Sequence, residues 1–238
     1  MGMGIAYHGF QDTRFTDQQL YNLSFLPELG FTHYTEKNYY HAYLNAYLYR
    51  GTHPATETIQ YGALGFTIQF GYMRGVIPGL YLGGTWNILD YMTMITGELH
   101  NNENMYHTAS DLLFSARYEY AINESWKLEA GAGLGIISFV KTAPSFTANF
   151  QQNVVDKGNV SFQDEETRKP FNLKYIDVKP FWDQLYVCTN LELFFRRRFS
   201  LAYTWRMRTF WDQKNYPVTA AAHSLALRIH FISRPKNK

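Results

Sequence analysis

Hydrophobic and polar positions alternate one by one along most of the chain, and its end shows this best. Leu225, Leu227, Ile229 and Phe231 alternate with Ser224, Ala226, Arg228 and His230. Period two is the pleat of a β-strand, which sends successive side chains to opposite faces. The segment before it places Leu201, Tyr203, Trp205 and Met207 opposite Ala202, Thr204, Arg206 and Arg208. Further back, Leu185, Val187, Leu191 and Leu193 oppose Cys188, Asn190 and Glu192. Trp126, Leu128, Ala130, Ala132 and Leu134 oppose Lys127, Glu129, Gly131 and Gly133. Leu112, Phe114, Ala116, Tyr118 and Tyr120 oppose Asp111, Ser115, Arg117 and Glu119. The pattern continues with Leu80, Leu82, Trp86 and Ile88 against Tyr81, Thr85 and Asn87, and with Leu64, Phe66, Ile68, Phe70 and Tyr72 against Thr67 and Gln69. Nearer the start, Leu23, Phe25, Leu29 and Phe31 oppose Ser24, Glu28 and Thr32. A Tyr-rich strand from about Tyr39 to Tyr49 and a short one from Gly4 to Phe10 complete a set of ten.

The connections between these strands alternate in length. Thr35 to Asn38, Arg74 to Gly79, Ile122 to Ser125 and Arg196 to Arg198 are short enough for hairpin turns. Gln11 to Gln19, Gly51 to Thr58, Gly97 to Asn104, Thr142 to Phe181 and Asp212 to Thr219 are longer and polar. A closed antiparallel barrel in a membrane has this parity, with short periplasmic turns on one side and long external loops on the other. The expectation is an all-β, closed antiparallel transmembrane β-barrel of about ten strands, eight and twelve being the alternatives. It forms one domain over residues 1–238, with a long external loop at about 142–181.

Composition agrees with a wall that has one face in lipid. Aromatic residues make up 18% of the chain and charged residues only 18%, against the roughly 25% charged of soluble proteins. The mean hydropathy is nevertheless −0.33, and the most apolar stretch, around Ala130 to Val140, is far short of the roughly 18 residues of a spanning helix. A helical membrane protein is thereby excluded. Aromatic rings fall where the two headgroup levels would be. Tyr72, Tyr81, Tyr120, Trp126, Phe195 and Phe199 lie near the short turns, and Tyr91, Tyr106, Phe139, Phe181, Trp182, Phe210 and Trp211 near the long loops.

A net charge of +2 with no basic run beyond Arg196, Arg197 and Arg198 indicates no nucleic-acid partner. The single cysteine, Cys188, allows no internal disulfide and reads as a small wall residue. The start, Met1-Gly-Met-Gly-Ile-Ala-Tyr, lacks the charged and apolar regions of a secretory leader. An exported barrel requires one, so the numbering is taken as that of a chain whose signal peptide has been removed.

The segment Ser-Leu-Ala-Leu-Arg-Ile-His-Phe, ending on Phe231, resembles the terminal recognition strand of outer-membrane barrels. In many of these the aromatic is the last residue, whereas this chain continues from Ile232 to Lys238. The tyrosine-rich composition is similar in style to small barrels of the Bacteroidota, without a motif that singles out one family. What the resemblance implies is a Gram-negative outer-membrane location.

The face turned away from lipid carries the candidate chemistry. Glu28, Asp111, Glu119, Glu129 and Glu192 are balanced there by Arg117, Lys127, Arg206, Arg208 and Arg228, with His230 beside them. Charges confined in a narrow lumen need partners, which predicts a plug of ion pairs, Arg206, Arg208 and Arg228 reaching Glu192 next door and Glu28, Glu119 or Glu129 across the barrel. The competing expectation is a narrow pore lined by the same charges. For catalysis, His107, Ser110 and Asp111 lie near a loop. His107 and Ser110 fall on opposite faces of a strand and fail as a dyad, while His107 and Asp111 share a face, which suits a rim hydrogen bond or an acid–base pair. Asp90, Glu98 and His100 fall in the next loop, and His8, His53 and His223 have no metal-ligand spacing. No cofactor is indicated.

The insertion from about Thr142 to Phe181 carries Asp156, Lys157, Asp164, Glu165, Glu166, Arg168 and Lys169. Its length suits a lid, a surface recognised from outside or a contact with a neighbour. Phe171, Tyr175, Phe181 and Trp182 on its return leg predict that part folds back onto the barrel. The function expected from these features is a non-enzymatic barrel acting as a structural or accessory subunit, one setting for which is a larger transport, secretion or assembly complex. The alternatives are an outer-leaflet lipid-A or phospholipid hydrolase and a narrow ion or solute channel. Outer-membrane lipid and lipopolysaccharide are the expected surroundings, and other outer-membrane proteins or lipoproteins the candidate partners.

Overall fold

A computed structural model of the chain describes residues 1–12, 20–35, 37–53, 56–96, 104–142, 176–196, 198–211 and 217–231. They form eleven strands: β1 Gly2–Asp12, β2 Leu20–Tyr34, β3 Asn38–His53, β4 Thr56–Ile77, β5 Leu80–Thr96, β6 Asn104–Ala121, β7 Trp126–Thr142, β8 Asp177–Pro180, β9 Gln184–Phe195, β10 Phe199–Trp211 and β11 Pro217–Ile229. Successive strands pair antiparallel except β8 and β9, and β1 pairs with β11, so the sheet closes on itself. The short β8 and the longer β9 both pair with β7, at Ile137–Val140 and Trp126–Leu134 respectively. They are one wall position interrupted at 181–183, and the barrel therefore has ten staves. Among the described residues every stave has a neighbour on each side, as a wall in lipid requires.

The two faces sort as the alternation predicts. Leu225, Leu227 and Ile229 are 43%, 69% and 48% exposed, whereas Ala226 between them is 3% exposed. Phe25, Phe31, Phe70, Trp86, Phe114 and Leu134 stand outward in the same way, while Ser24, Glu28, Thr67, Thr85, Asp111, Ser115, Glu129 and Glu192 are buried inside. A globule with an apolar exterior and a polar interior is the inverse of a water-soluble one, and it is the arrangement of a transmembrane barrel.

Several boundaries differ from the sequence expectation. β1 begins at Gly2 rather than Gly4, and β3 and β4 run through most of the span assigned to a loop at Gly51–Thr58. β4, at 22 residues, is about twice the 9–11 that a bilayer needs. β8 lies inside the predicted loop at 142–181. Phe171 and Tyr175 fall outside the described residues, and Phe181 and Trp182 are exposed, edge to face. Two of the supposed girdle aromatics turn inward: Tyr81 packs on Tyr39, and Phe210 is 1% exposed. The side chain of Tyr106 is not among those described.

The inner face of β3 shows how local sequence shapes the lumen. Tyr39, His41, Tyr43, Asn45 and Tyr47 point inward. Three of these rings face a glycine directly across the ladder: Tyr43 faces Gly30, Tyr47 faces Gly65 and His41 faces Gly71. A Cβ at Gly65 would stand 2.0 Å from Tyr47, and one at Gly71 2.0 Å from His41. The missing side chain on one strand makes the room that the ring on the next one fills.

Candidate functional site in the barrel lumen

The charged residues of the inner face gather in two layers. At the short-turn end, Arg228 on β11 donates from Nε to Glu28 Oε2 at 2.7 Å and from Nη1 to Glu192 Oε2 at 2.8 Å, joining β11 to β2 and β9. Ser200 donates to Glu192 at 2.5 Å, and His230 Nε2 lies 2.7 Å from the same hydroxyl. Beside this group, Glu129 on β7 receives both Arg117 and Lys127. Arg117 also donates to the Tyr34 hydroxyl at 3.0 Å, stands 3.6 Å from Glu119 and covers the Tyr39 ring at 4.3 Å. Buried charges need such partners, because removing one leaves an uncompensated ion in a poorly solvated space.

The second layer lies toward the long loops. Arg208 on β10 pairs with Asp111 on β6 and, at 3.2 Å, with Asp90 on β5. Ser138 donates to Asp111, Asn87 donates to Tyr186 at 2.9 Å, and Arg208 stacks over Tyr186 at 4.6 Å. Thr67 donates to Asp90 at 3.2 Å and accepts from Arg206 at 3.2 Å. Beyond it, Phe10, Tyr47, Ala109, Val140, Phe210 and Val218 form a buried apolar cluster.

The partners chosen differ from those expected. Arg228 does reach Glu192 and Glu28, but Arg208 goes to two aspartates and Arg206 to a threonine. Asp90 is not a loop residue: it lies within β5, where an irregular register between Asn87 and Asp90 turns both inward. Sequence reading missed it because a bulge breaks period two. It also missed Tyr34, Tyr39, Tyr43 and Tyr186. For β3 the signal was present, since His41 and Asn45 share the parity of Tyr39, Tyr43 and Tyr47, opposite Leu44 and Leu48. Glu98 and His100 lie outside the described residues.

His107 and Asp111 share the inner face of β6, both buried, yet they are put to different uses. The His107 ring stacks on Phe210 at 5.5 Å, while Asp111 serves Arg208 and Ser138. The cluster of Ser200, His230 and Glu192 has the residue types of a nucleophilic triad. A triad needs the two imidazole nitrogens to serve different partners, whereas here Nε2 faces both Ser200 Oγ, at 2.7 Å, and Glu192 Oε1, at 3.4 Å. The group is a hydrogen-bonded support for Glu192. Among the described residues, no three His, Cys, Asp or Glu side chains gather as a metal site would require.

Between the two charged layers lies a chamber of about 140 Å³, walled by residues of all ten staves, including Glu28, Tyr43, Arg117, Cys188, Arg206 and Arg228. A smaller cavity of about 50 Å³ sits on its loop side, and the two share Tyr186, Arg206 and Ala222 as their common wall.

No family model matches this chain, and no curated protein does. Among solved structures it is similar to Neisserial surface protein A, with 11% identity, a TM-score of 0.39, and coverage of 97% of this chain and 95% of that one. It is also similar to Ail, the attachment invasion locus protein of Yersinia pestis, with 8% identity, a TM-score of 0.36 and coverage of 95% and 94%. A third likeness, to the toluene transporter TbuX of Ralstonia pickettii, has 8% identity, a TM-score of 0.27 and coverage of 89% and 68%.

Proposed function

We propose that this protein is a closed outer-membrane barrel that serves as a structural or accessory subunit and does not conduct through its lumen. The observation behind the proposal is that each charged layer ties together staves from different sides of the wall. In the short-turn layer Tyr34 on β2 meets Arg117 on β6 and Glu129 on β7, and in the other layer Arg208 links β10 to β5 and β6. A lumen filled by paired long side chains gains stiffness and loses its passage, which suits a scaffold rather than a conduit. The working surfaces are then the outer wall and the long loops, and the partners are outer-membrane lipid, lipopolysaccharide and other outer-membrane proteins or lipoproteins. The tyrosine-rich composition, similar in style to small barrels of the Bacteroidota, supports a source in that group.

Extraction in mild detergent tests this. A stoichiometric membrane-protein or lipoprotein partner that copurifies with the barrel supports it. A barrel that purifies alone after crosslinking in intact cells, and that changes the lipid-A mass spectrum of cells expressing it, favours the hydrolase alternative instead.

A further inference from the structure

The chamber between the two charged layers has a wall whose charge is unevenly presented. Four charged side chains line it: Arg117, Arg206, Arg228 and Glu28. The other acids that pair with Arg117 and Arg228, namely Glu129, Glu119 and Glu192, lie outside its lining, as does Asp90, which pairs with Arg208. The space is therefore faced by three guanidinium groups and one carboxylate.

Arg206 differs from the other two. Among the described residues its guanidinium makes a single hydrogen bond, from Nη1 to Thr67, and no carboxylate stands within ion-pair distance of it. A guanidinium carries five N–H donors in a planar fork that matches a carboxylate or phosphate. Most of the Arg206 donors are unspent, and the group borders both cavities. Four further polar atoms without a hydrogen-bond partner belong to residues of the same wall: three on donor-bearing groups, the Tyr39 hydroxyl, His41 Nδ1 and Arg117 Nε, and one acceptor, Asn45 Oδ1. The Gln69 amide faces His41 Nε2 at 3.4 Å. When the amide donates there, Nδ1 carries the proton and becomes another donor. Buried donors without acceptors are costly, and a small acceptor at the Arg206 fork would satisfy those of the guanidinium.

We propose that the mid-lumen chamber is a binding site for a small oxyanion, a carboxylate or a phosphate, seated on the guanidinium of Arg206. Its volume of about 140 Å³ is close to that of cavities that hold a six-carbon ring. Inorganic phosphate, acetate and succinate all fall within that size. The inference is independent of the accessory role, because a steady ionic conductance would overturn that role and leave this site standing.

The test is calorimetric titration of the full-length barrel in detergent, at constant ionic strength, with phosphate, acetate and succinate against a chloride control. The wild type is expected to bind at least one oxyanion saturably, and phosphate set against the two carboxylates shows which kind it takes. Arg206→Lys, which keeps the charge but loses the fork, and Arg206→Gln are expected to bind at least tenfold more weakly. Should Arg206→Gln fail to fold, Ala222→Leu fills the wall shared by the two cavities, leaves the guanidinium in place and is expected to weaken binding as much. Cys188 lines the chamber and gives a second readout: its modification by a small thiol reagent should slow at least threefold when the oxyanion is bound. Absence of saturable binding by all three anions, or equal binding by wild type and variants, overturns the proposal.

Discussion

Arg228 and Glu28 are joined over a glycine. Gly2 on β1 stands in register between them, and a Cβ there would meet Arg228 Cγ at 2.9 Å and Glu28 Oε2 at 3.0 Å. The 2.7 Å ion pair therefore spans from β11 to β2 across a strand with no side chain at that point. The same arginine also holds Glu192 on β9, so one side chain ties three staves across a run of five neighbours, β9, β10, β11, β1 and β2, at the seam where the barrel closes.

Loss of Glu192 should be costly. Glu192→Ala strips Arg228 of one partner and leaves Ser200 and His230 without their common acceptor. Breaking a buried pair costs about 3–5 kcal/mol. Glu124→Ala, in the exposed turn between β6 and β7, should stay within about 0.5 kcal/mol. Urea unfolding in micelles compares the two, and coincident midpoints would show that the layer does not stabilise the barrel.

The pairing of rings with glycines predicts an overpacking effect. Gly65→Ala places a methyl group in the Tyr47 ring and should destabilise by about 1–3 kcal/mol. Combined with Tyr47→Ala, the glycine substitution should lose most of its own cost, because the two positions share one space. A double-mutant cycle measures this, and strict additivity would mean that the ring does not depend on the glycine.

On the outer wall the cost of a charge should depend on depth. With about 3.4 Å per residue and a tilt of roughly 40°, Phe114 stands roughly 15 Å from Tyr120 along the bilayer normal. Leu227 lies only two residues from the strand end at Ile229. Phe114→Arg should cost about 2–4 kcal/mol and Leu227→Arg about 1 kcal/mol or less in a bilayer folding titration. Equal tolerance at the two sites would mean that Phe114 does not face lipid.

The wall was legible in the sequence because lipid imposes a rule on every second residue. A one-residue slip at Leu225 would turn all of β11 the wrong way, so the parity is written redundantly along each strand. The interior obeys no such rule. Which charge meets which depends on register and on bulges, and the irregularity after Asn87 that turns Asp90 inward leaves no mark on the pattern. That is why Arg208 finds Asp90 and Asp111 rather than a glutamate. The glycines opposite Tyr43, Tyr47 and His41 become informative only when strand pairing is known. The four residues of β8 are too few to show a period, and they lie in a long polar insertion ending at a proline.

A closed lumen is tested by single-barrel recording in a planar bilayer. The wild type should show no steady open conductance, and Arg208→Ala or Arg117→Ala, which remove the cross-braces of one layer each, should at most admit brief, noisy openings while the other layer stands. A steady, ohmic wild-type current would show that the charged layers line a pore rather than close it.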